Sequence, residues 1–321
     1  MISKITYSRY KLPEMRIGIR EFSESLNKDF MKSVANSYGV KKLASNDLHD
    51  ILAYVSNIES VYVGNIEKAH ILVEELVGEY LDEKKINPLD VEYIIYTKGS
   101  YIGKTDINLP YYIQKKLGFK NAIVFSLEQE CSSSLLAAYI LNALLKKKEG
   151  GIGIILTSNF FQTLESRLMG LFVVSDAVGL IEMSNGGEGF EIIDYDSITE
   201  GNIMNAQDFI DHAEDVVKIG TKLIQRIICK EGLEINDIFS IIPQNTSLSG
   251  WYAYFNTLSI VPEQLFKNNF GGLGHWGDVD FARNITDMRE IIAEAPNHSI
   301  FLAYALGTGT SVNALLLKKS Y

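Results

Sequence analysis

One pattern occurs twice in the chain: a long amphipathic helical segment, an acidic turn and then an apolar strand. Residues 72–91 carry the first copy and residues 216–237 the second, and each leads into an apolar run. The turns that begin at Lys84 and Lys230 match in position and in character, and they lie about 146 residues apart. Solenoid repeats have periods of about 20 to 50 residues, so this spacing indicates the duplication of a larger unit.

The duplication predicts two related α/β halves. We expect them to span residues 1–188 and 189–321 and to join near the glycine-rich segment Ser184–Gly189. Apolar β-type runs alternate with amphipathic patterns throughout, which is typical of α/β layering, and the near-continuous apolar strands predict sheets covered on both faces. The predicted strands are residues 91–97, 122–127, 151–157, 172–183, 190–195, 238–242, 299–306 and 311–317, and the predicted helices are residues 66–81, 109–117, 132–146, 206–229 and 280–293.

Composition excludes several classes of function. The chain has 321 residues, 46% of them hydrophobic, which is enough for a substantial core. The net charge of -10, without a balancing basic block, argues against a nucleic-acid partner. Two cysteines cannot form a disulfide framework, which favours a reducing compartment. The N-terminal residues lack a signal-peptide pattern, and no run approaches the roughly 18 apolar residues of a membrane span. We expect a cytoplasmic protein without a membrane partner.

Cys131 is the first candidate catalytic residue. An apolar strand ends at Leu127, a short polar turn follows, and an apolar helix begins at the cysteine. Unpaired backbone N–H groups at a helix start stabilise a thiolate and can bind the oxyanion of a tetrahedral intermediate. Glu128 and Glu130 act in the opposite direction, so the thiol would benefit from a positioned base. The alternative, an inert cysteine buried at a strand–helix junction, stays open. Cys229 lies within an amphipathic helix and is expected to pack in the core.

His275 is the candidate base. It lies in the sequence Asn269-Phe-Gly-Gly-Leu-Gly-His-Trp-Gly-Asp-Val-Asp280, where four glycines permit tight backbone geometry and the close approach of another group. The other histidines are most simply surface or helix-end residues: His49, His70, His212 and His298. A glycine-rich loop before a helix can also bind phosphate, but here two aspartates follow and no lysine does. We therefore prefer the general-base interpretation to a structural loop. A further glycine-rich segment, Gly307–Ser311, joins two predicted strands. Taken alone it is weak evidence for a functional site, because a pair of glycines between strands is usually just a turn.

Together these elements resemble the ketoacyl synthase III branch of the thiolase superfamily over nearly the whole chain. The matching segments are Tyr10–Arg16, Gly39–Lys42, Cys131 as the nucleophile, Asp176–Gly179, Ile241–Asn245, Gly274–Gly277 and Gly307–Ser311. The resemblance implies a five-layered α-β-α-β-α thiolase fold made of two thiolase-like halves, and a homodimer formed through strands next to the nucleophile. It also implies an acyl-coenzyme A or acyl carrier protein donor, with no permanently bound cofactor and no metal. Lys41 would contact the coenzyme A end of the donor, and a backbone amide near Thr308 would complete the oxyanion hole. Trp276 is a candidate for the substrate pocket.

The departures from the family pattern concern the enolate-stabilising pair. Condensing enzymes of the family place a histidine and an asparagine around the cysteine, whereas this chain has Gln244 at the histidine position and His275 at the asparagine position. Glutamine cannot accept a proton. The remaining cysteine, histidine and nearby acid resemble the Cys-His-Asp arrangement of divergent relatives in secondary metabolism. Gln244 and Asn245 would support this arrangement. Of the two nearby acids, Asp278 and Asp280, the second matches better.

Three hypotheses follow from these residues. The first is an acyltransferase that loads Cys131 and passes the acyl group to a small hydroxyl or amine acceptor. The second is an atypical carbon–carbon condensing enzyme, in which Gln244 or Asn245 supplies a hydrogen bond. The third is a catalytically silent subunit that supports an active homologue, which is disfavoured because both the cysteine and the histidine are retained. We favour the first.

Overall fold

A computed structural model describes residues 3–37, 43–98, 108–146, 150–170, 172–201, 213–246, 248–307 and 311–320. The strands are β1 (Lys4–Lys11), β2 (Arg16–Gly18), β3 (Ser60–Tyr62), β4 (Val91–Lys98), β5 (Ile123–Leu127), β6 (Ile152–Asn159), β7 (Leu168–Met169), β8 (Phe172–Val173), β9 (Ala177–Ser184), β10 (Gly189–Thr199), β11 (Ile238–Ile242), β12 (Ile300–Gly307) and β13 (Ser311–Ser320). The helices are α1 (Ile19–Ser25), α2 (Lys28–Ser37), α3 (Ser45–Asp50), α4 (Ala69–Lys84), α5 (Leu109–Lys116), α6 (Ser133–Leu145), α7 (Ala213–Lys230), α8 (Leu248–Leu258), α9 (Asp280–Asp287) and α10 (Arg289–Glu294). None of the helices described in these ranges is long and apolar enough to cross a membrane.

The duplicated sequence pattern corresponds to a duplicated structural unit. Helix α4 leads through a single 3-10 turn at Pro88–Asp90 into β4, and α7 leads through Ile235–Asp237 into β11. Each 3-10 turn is stabilised by a side chain that accepts a backbone N–H: Asn87 accepts from Leu89 at 3.0 Å, and Asp237 accepts from Glu234 at 2.8 Å. The predicted helix–turn–strand repeat is therefore confirmed.

Nine of the strands form one sheet in the order β11-β12-β13-β10-β1-β9-β6-β4-β5, and the pairs β2-β3 and β7-β8 form two separate two-stranded sheets. The nine-stranded sheet has two wings: β1, β9, β6, β4 and β5 form the first, and β10, β13, β12 and β11 form the second. The wings meet where β1 pairs with β10 through Lys4–Glu191 and Ile5–Phe190. Gly189 lies at this joint, where a Cβ atom would come 2.1 Å from the carbonyl oxygen of Ile5. The close approach of the two backbones therefore requires glycine. The division of the chain between residues 188 and 189 remains a prediction, and it falls at the first residue of β10.

Five layers follow from how the apolar side chains alternate along the strands. Within one core, α6 and α9 pack between the two wings, through residues such as Leu141 and Phe281 against Ile155 and Leu315. The neighbouring strand residues point the opposite way and pack beneath outer helices, with α4 and α5 on the first wing and α7 and α8 on the second. The order of layers is α-β-α-β-α, with both sheet faces covered as predicted.

Two predicted elements are interrupted. The single strand expected over 172–183 divides into β8 and β9, because residues 174–176 turn away to contact the loop that carries His275: the backbone N–H of Ser175 donates to the His275 carbonyl at 2.8 Å. The helix expected over 280–293 divides at Met288 into α9 and α10. The other predicted strands and helices are confirmed within a few residues, apart from residues 206–212 of the predicted helix 206–229, which lie outside the described residues.

Candidate active site

Cys131 lies in the turn between β5 and α6, two residues before the helix begins. Glu130, immediately before it, has a φ of 53°, an uncommon backbone conformation for a residue with a side chain. The turn is held by Ser133, whose hydroxyl accepts the backbone N–H of Gln129 at 2.7 Å and donates to the Glu130 carbonyl at 2.7 Å. Only 6% of Cys131 is exposed, so the turn presents a buried thiol at the start of α6.

The surroundings of Cys131 favour the protonated thiol over the thiolate. Burial raises the pKa of Cys131 well above its usual value, and the negative charges of Asp278, Glu130 and Asp280 raise it further. This direction is opposite to the thiolate stabilisation expected from a helix start. Burial is the main physical reason, and the Asp278 carboxylate adds to it because it accepts the backbone N–H of Ser134 at 2.6 Å and so counteracts the positive end of α6. The thiol therefore needs a base to become a nucleophile.

The loop that carries His275 needs its glycines, as the sequence predicted. Gly274 and Gly277 have φ angles of 72° and 58°. A Cβ atom on Gly274 would lie 2.5 Å from the Val173 carbonyl oxygen, and one on Gly277 would lie 2.6 Å from Oδ1 of Asn159. The loop is thereby pressed against β8 and the end of β6. The His275 backbone N–H donates to the Val173 carbonyl at 3.0 Å, and 1% of His275 is exposed.

Asp280 fixes the protonation pattern of the imidazole. Its Oδ2 lies 2.5 Å from Nδ1 of His275, and the carboxylate also accepts the backbone N–H groups of Asn245 at 2.8 Å and Trp276 at 3.1 Å. Burial acts to raise the pKa of Asp280, but the interaction with His275 and the positive charge of Arg283 outweigh it, and the pKa is lowered. An ionised acceptor at Nδ1 keeps the proton on that nitrogen, so Nε2 carries the lone pair.

Gln244 presents a donor to that lone pair. Its Oε1 accepts the Leu306 backbone N–H at 3.1 Å and its Nε2 donates to the Leu306 carbonyl at 2.9 Å. Because this pairing would be lost if the amide were turned over, the amide orientation is fixed. The same Nε2 lies 3.5 Å from Nε2 of His275. A glutamine at this position can donate a hydrogen bond but cannot take up a proton.

One narrow pocket connects these groups. Cys131, Gln244 and Asp280 line it together with mainly apolar neighbours: Ser134, Leu135, Ile242, Pro243, Gly277, Phe281, Tyr304 and Ala305. His275 contacts two of the lining residues, Gln244 and Asp280. The Cys131 thiol therefore lines this pocket, and the imidazole of His275 contacts two of the residues that line it.

The other predicted site residues have different environments. Asn245 is buried and bonds Asn284 through its side chain at 3.0 Å, which supports the peptide that binds Asp280. Trp276 is 1% exposed and lies between Arg283, 3.9 Å from its ring centroid, and Tyr10, rather than among the residues that line the pocket. Lys41 and Thr308 lie outside the described residues.

Residues that flank Thr308 do contact the nucleophile turn. A Cβ atom on Gly307 would lie 2.8 Å from the Gln129 carbonyl oxygen, and the hydroxyls of Ser311 and Ser132 are 3.0 Å apart. The amide of Asn313 donates to Oε1 of Gln129 at 2.8 Å. The end of β12 and the start of β13 are therefore packed on the turn before Cys131.

Two site residues were missed in the sequence, and one cysteine was assigned wrongly. Arg283 and Asn284 lie on the same face of α9 as Asp280, and their i, i+3, i+4 spacing in a buried helix was the available signal. Asn284 donates to the Pro243 carbonyl at 2.6 Å and so holds the segment before Gln244. Cys229 is exposed rather than packed in the core, because Ile227 and Ile228 occupy the buried face of α7.

The sequence matches no family model and no curated protein. Several solved structures are similar to it. They include 3-oxoacyl-[acyl-carrier-protein] synthase III from Aquifex aeolicus VF5, with 14% identity and a TM-score of 0.77 over 98% of this chain and 99% of that chain. ChlB3, described as an acyltransferase, has 13% identity and a TM-score of 0.75 over 100% and 98%. A variant of OleA from Xanthomonas campestris with bound lauric acid and lauroyl-CoA has 13% identity and a TM-score of 0.79 over 99% of each chain. The thiolase fold is confirmed, in a divergent sequence.

Proposed function

We propose that the protein is an acyltransferase that forms an acyl thioester on Cys131 and passes the acyl group to a hydroxyl or amine acceptor. The observation that carries the proposal is the His275–Asp280 pair, with Nδ1 held by the carboxylate and Nε2 left as a proton acceptor, joined to the pocket that Cys131 lines. The donor would be an acyl-coenzyme A or an acyl carrier protein. The printed names of an acyltransferase and of a lauroyl-CoA complex among the similar structures support this donor class.

In the loading step, the proton of the Cys131 thiol passes to Nε2 of His275 and the sulfur attacks the carbonyl carbon of the donor thioester. The bond from carbon to the donor sulfur then breaks, and the departing thiolate takes the proton back from the imidazolium. In the transfer step, Nε2 accepts the proton of the acceptor hydroxyl or amine, whose oxygen or nitrogen attacks the acyl carbon. Cys131 leaves as a thiolate and recovers the proton from His275. Asp280 stabilises the imidazolium in both steps.

The remaining roles follow the family resemblance. We assign Thr308 to the oxyanion hole, together with a backbone amide of the Cys131 turn, and Lys41 to the coenzyme A end of the donor. The packing of Gly307 against Gln129 supports the first assignment, because Gly307 precedes Thr308 in the sequence and itself lies close to the nucleophile turn. The side-chain N–H of Gln244 would donate a hydrogen bond to Nε2 of His275 until the thiol or the acceptor takes the place of Gln244 as the donor.

An atypical carbon–carbon condensation is the second candidate. The family resemblance implies that decarboxylative condensation needs two donors toward the enolate. In this site Gln244 keeps one N–H after binding Leu306, whereas His275 has its proton on the opposite nitrogen, toward Asp280. The N–H of Gln244 that points toward Nε2 of His275 is the observation that favours condensation, and the lack of a second donor at Nε2 favours transfer.

Mass spectrometry of the intact protein tests the covalent step. The protein is incubated with a panel of acyl-coenzyme A and acyl carrier protein thioesters, in a Cys229→Ser background because Cys229 is exposed and would react on its own. We expect an adduct on Cys131 that is lost in Cys131→Ala. Absence of an adduct with every donor of the panel would contradict both enzymatic candidates.

A second experiment separates transfer from condensation. The acylated protein is mixed either with malonyl carrier protein or with a panel of small alcohols and amines. Release of acyl ester or amide without carbon dioxide is expected for an acyltransferase. Carbon dioxide release with a lengthened acyl chain would overturn the first candidate in favour of the second.

A further inference from the structure

Asp278 joins the base loop to the nucleophile helix. It lies three residues after His275 and is 1% exposed. One carboxylate oxygen accepts the backbone N–H of Ser134, three residues after Cys131, at 2.6 Å. The other accepts the hydroxyl of Thr157 at 2.9 Å and a short hydrogen bond from Thr97. The Asp278 carbonyl also accepts the Ser134 hydroxyl at 3.2 Å. Both threonines lie near the carboxyl ends of parallel strands, β4 and β6.

These contacts give Asp278 two physical effects on Cys131. Its carboxylate and its backbone carbonyl both accept hydrogen bonds from Ser134, and this fixes the position of the first turn of α6 relative to the loop that carries His275. As a buried carboxylate, it opposes the positive end of α6, which would otherwise stabilise a thiolate. The two other acids that act on Cys131 do not have both effects, since Asp280 faces His275 and Glu130 lies within the turn itself.

We propose that Asp278 is a positioning residue, which aligns the Cys131 turn with the His275 loop and keeps the thiol protonated until the imidazole accepts its proton. A permanently ionised thiol would react with electrophiles at any time, whereas a neutral thiol reacts once a base removes the proton. The catalytic meaning of this assignment rests on the proposed acyl transfer. Its electrostatic part can be measured without any acyl donor.

The other ionisable groups around the site also affect its titration. Asp278, Glu130 and Asp280 act on Cys131, and all three raise the pKa of the thiol beyond the effect of burial. The pKa of Asp278 itself is raised by burial, against the hydrogen bonds from Thr97, Ser134 and Thr157. On the neighbouring strand, burial raises the pKa of Tyr96 to about 12, with Asp278 and Glu128 adding to the rise. Tyr96 therefore stays mostly neutral over the range in which Cys131 is tested.

The test is the pH dependence of alkylation of Cys131 by iodoacetamide, in the full chain with Cys229→Ser. The rate is followed from about pH 7 to about pH 11, because the pKa of Cys131 lies well above the ordinary thiol value of about 8.5. Asp278→Asn removes the charge and keeps an oxygen that can accept the Ser134 N–H, while the threonine hydroxyls can turn to accept from the amide. We expect the midpoint of the profile to fall by about one pH unit, which corresponds to a roughly tenfold larger thiolate fraction at neutral pH.

Glu182→Gln is the matched control. Glu182 is also a buried carboxylate, but it bonds Thr6 and Tyr80 on the far side of the first wing. Its neutralisation should leave the Cys131 profile unchanged. An unchanged or higher midpoint in Asp278→Asn, or an equal shift in Glu182→Gln, would overturn the proposal. If Asp278→Asn does not fold, Asp278→Ser supplies a smaller neutral acceptor for the same measurement.

The outcomes separate this inference from the proposed function. A lowered alkylation midpoint without any acyl adduct would leave the Asp278 assignment intact and contradict acyl transfer. An acyl adduct in the wild-type protein together with an unshifted alkylation midpoint in Asp278→Asn would support acyl transfer and contradict the Asp278 assignment. If both hold, Asp278→Asn should also load acyl groups at least several-fold more slowly at a pH where the thiolate fractions are matched, since the amide binds Ser134 less strongly than the carboxylate does.

Discussion

At the scale of single residues, Asp280 decides which nitrogen of His275 can accept a proton. Asp280→Asn replaces the ionised acceptor by a neutral amide, which can stabilise the wrong tautomer of the imidazole. We expect acyl transfer from Cys131 to the acceptor to slow by about 100-fold or more, as for the loss of a general base. Asp287→Asn, seven residues further along the same helix and bonded to Tyr10 and Asn269, is the control and should transfer at the normal rate. A normal rate in Asp280→Asn would refute the orienting role.

Asp280 also contributes to stability in a pH-dependent way. Its pKa is lower in the folded protein than in the unfolded chain, where it is about 3.9. Its ionised form therefore stabilises the fold above that pH, and the contribution is lost as the pH falls through the lower folded value. We expect the difference in unfolding free energy between the wild-type protein and Asp280→Asn to shrink below about pH 4. Urea denaturation at a series of pH values measures it; a difference that grows on acidification would contradict the sign.

Cys131 and His275 could be proposed from the sequence because each lies in a local pattern, a strand–turn–helix junction and a glycine-bracketed loop, and Asp280 followed from the family resemblance. The ionisation state of Cys131 could not be predicted in this way. It depends on burial and on the contact between Ser134 and Asp278, which are 144 residues apart in the chain. Local sequence gives the helix start but not the carboxylate that folds against it.

At the scale of elements, two glycines in the middle of helices have opposite surroundings. Gly78 in α4 is partly exposed, and a Cβ atom there would meet nothing within 4 Å. In α7, a Cβ atom on Gly220 would lie 2.3 Å from the Tyr304 hydroxyl and 2.4 Å from that of Tyr254. We expect Gly78→Ala to stabilise the protein by about 0.5 to 1 kcal/mol through helix propensity, and Gly220→Ala to destabilise it by about 1 to 3 kcal/mol through overpacking.

Thermal or urea unfolding of the two glycine variants compares the same chemical change in two helices. Equal effects would contradict the packing of α7 on the Tyr254–Tyr304 pair, whose hydroxyls are 2.8 Å apart. Sequence periodicity predicted both helices, but it could not distinguish the two glycines, because only the tertiary contacts of α7 differ. The break between β8 and β9 has the same origin: Ser175 leaves the strand to bond His275, 100 residues away.

At the scale of the whole molecule, the duplicated pattern accounted for the layers. A helix, a turn and an apolar strand that recur in two halves can cover both faces of a sheet. Successive residues of a strand point into different cores: Ile95 and Leu315 pack in the central core, whereas Ile94 and Leu316 pack in the outer cores. The joint between the wings was indicated only by glycine content. Its short β1–β10 pairing depends on the absence of a side chain at Gly189.

The assembly of two copies remains a prediction, and the sheet offers a place to test it. Among the described strands the sheet ends at β5 on one side and at β11 on the other. Unpaired edges are competent to join a second sheet, and a lysine on an edge strand opposes such pairing. Because the family resemblance implies a dimer through strands next to the nucleophile, we expect β5, which ends four residues before Cys131, to form the interface with a second copy.

Matched substitutions at the two edges distinguish the interface. Ile123 on β5 is 58% exposed and Phe239 on β11 is 41% exposed, so lysine can replace either at small cost to a single copy. In sedimentation experiments we expect a dimer for the wild-type protein and for Phe239→Lys, and at least a tenfold weaker dimer for Ile123→Lys, equivalent to about 1.4 kcal/mol. A monomeric wild-type protein would contradict the dimer itself. A dimer weakened by Phe239→Lys instead would move the interface to the opposite edge, away from Cys131.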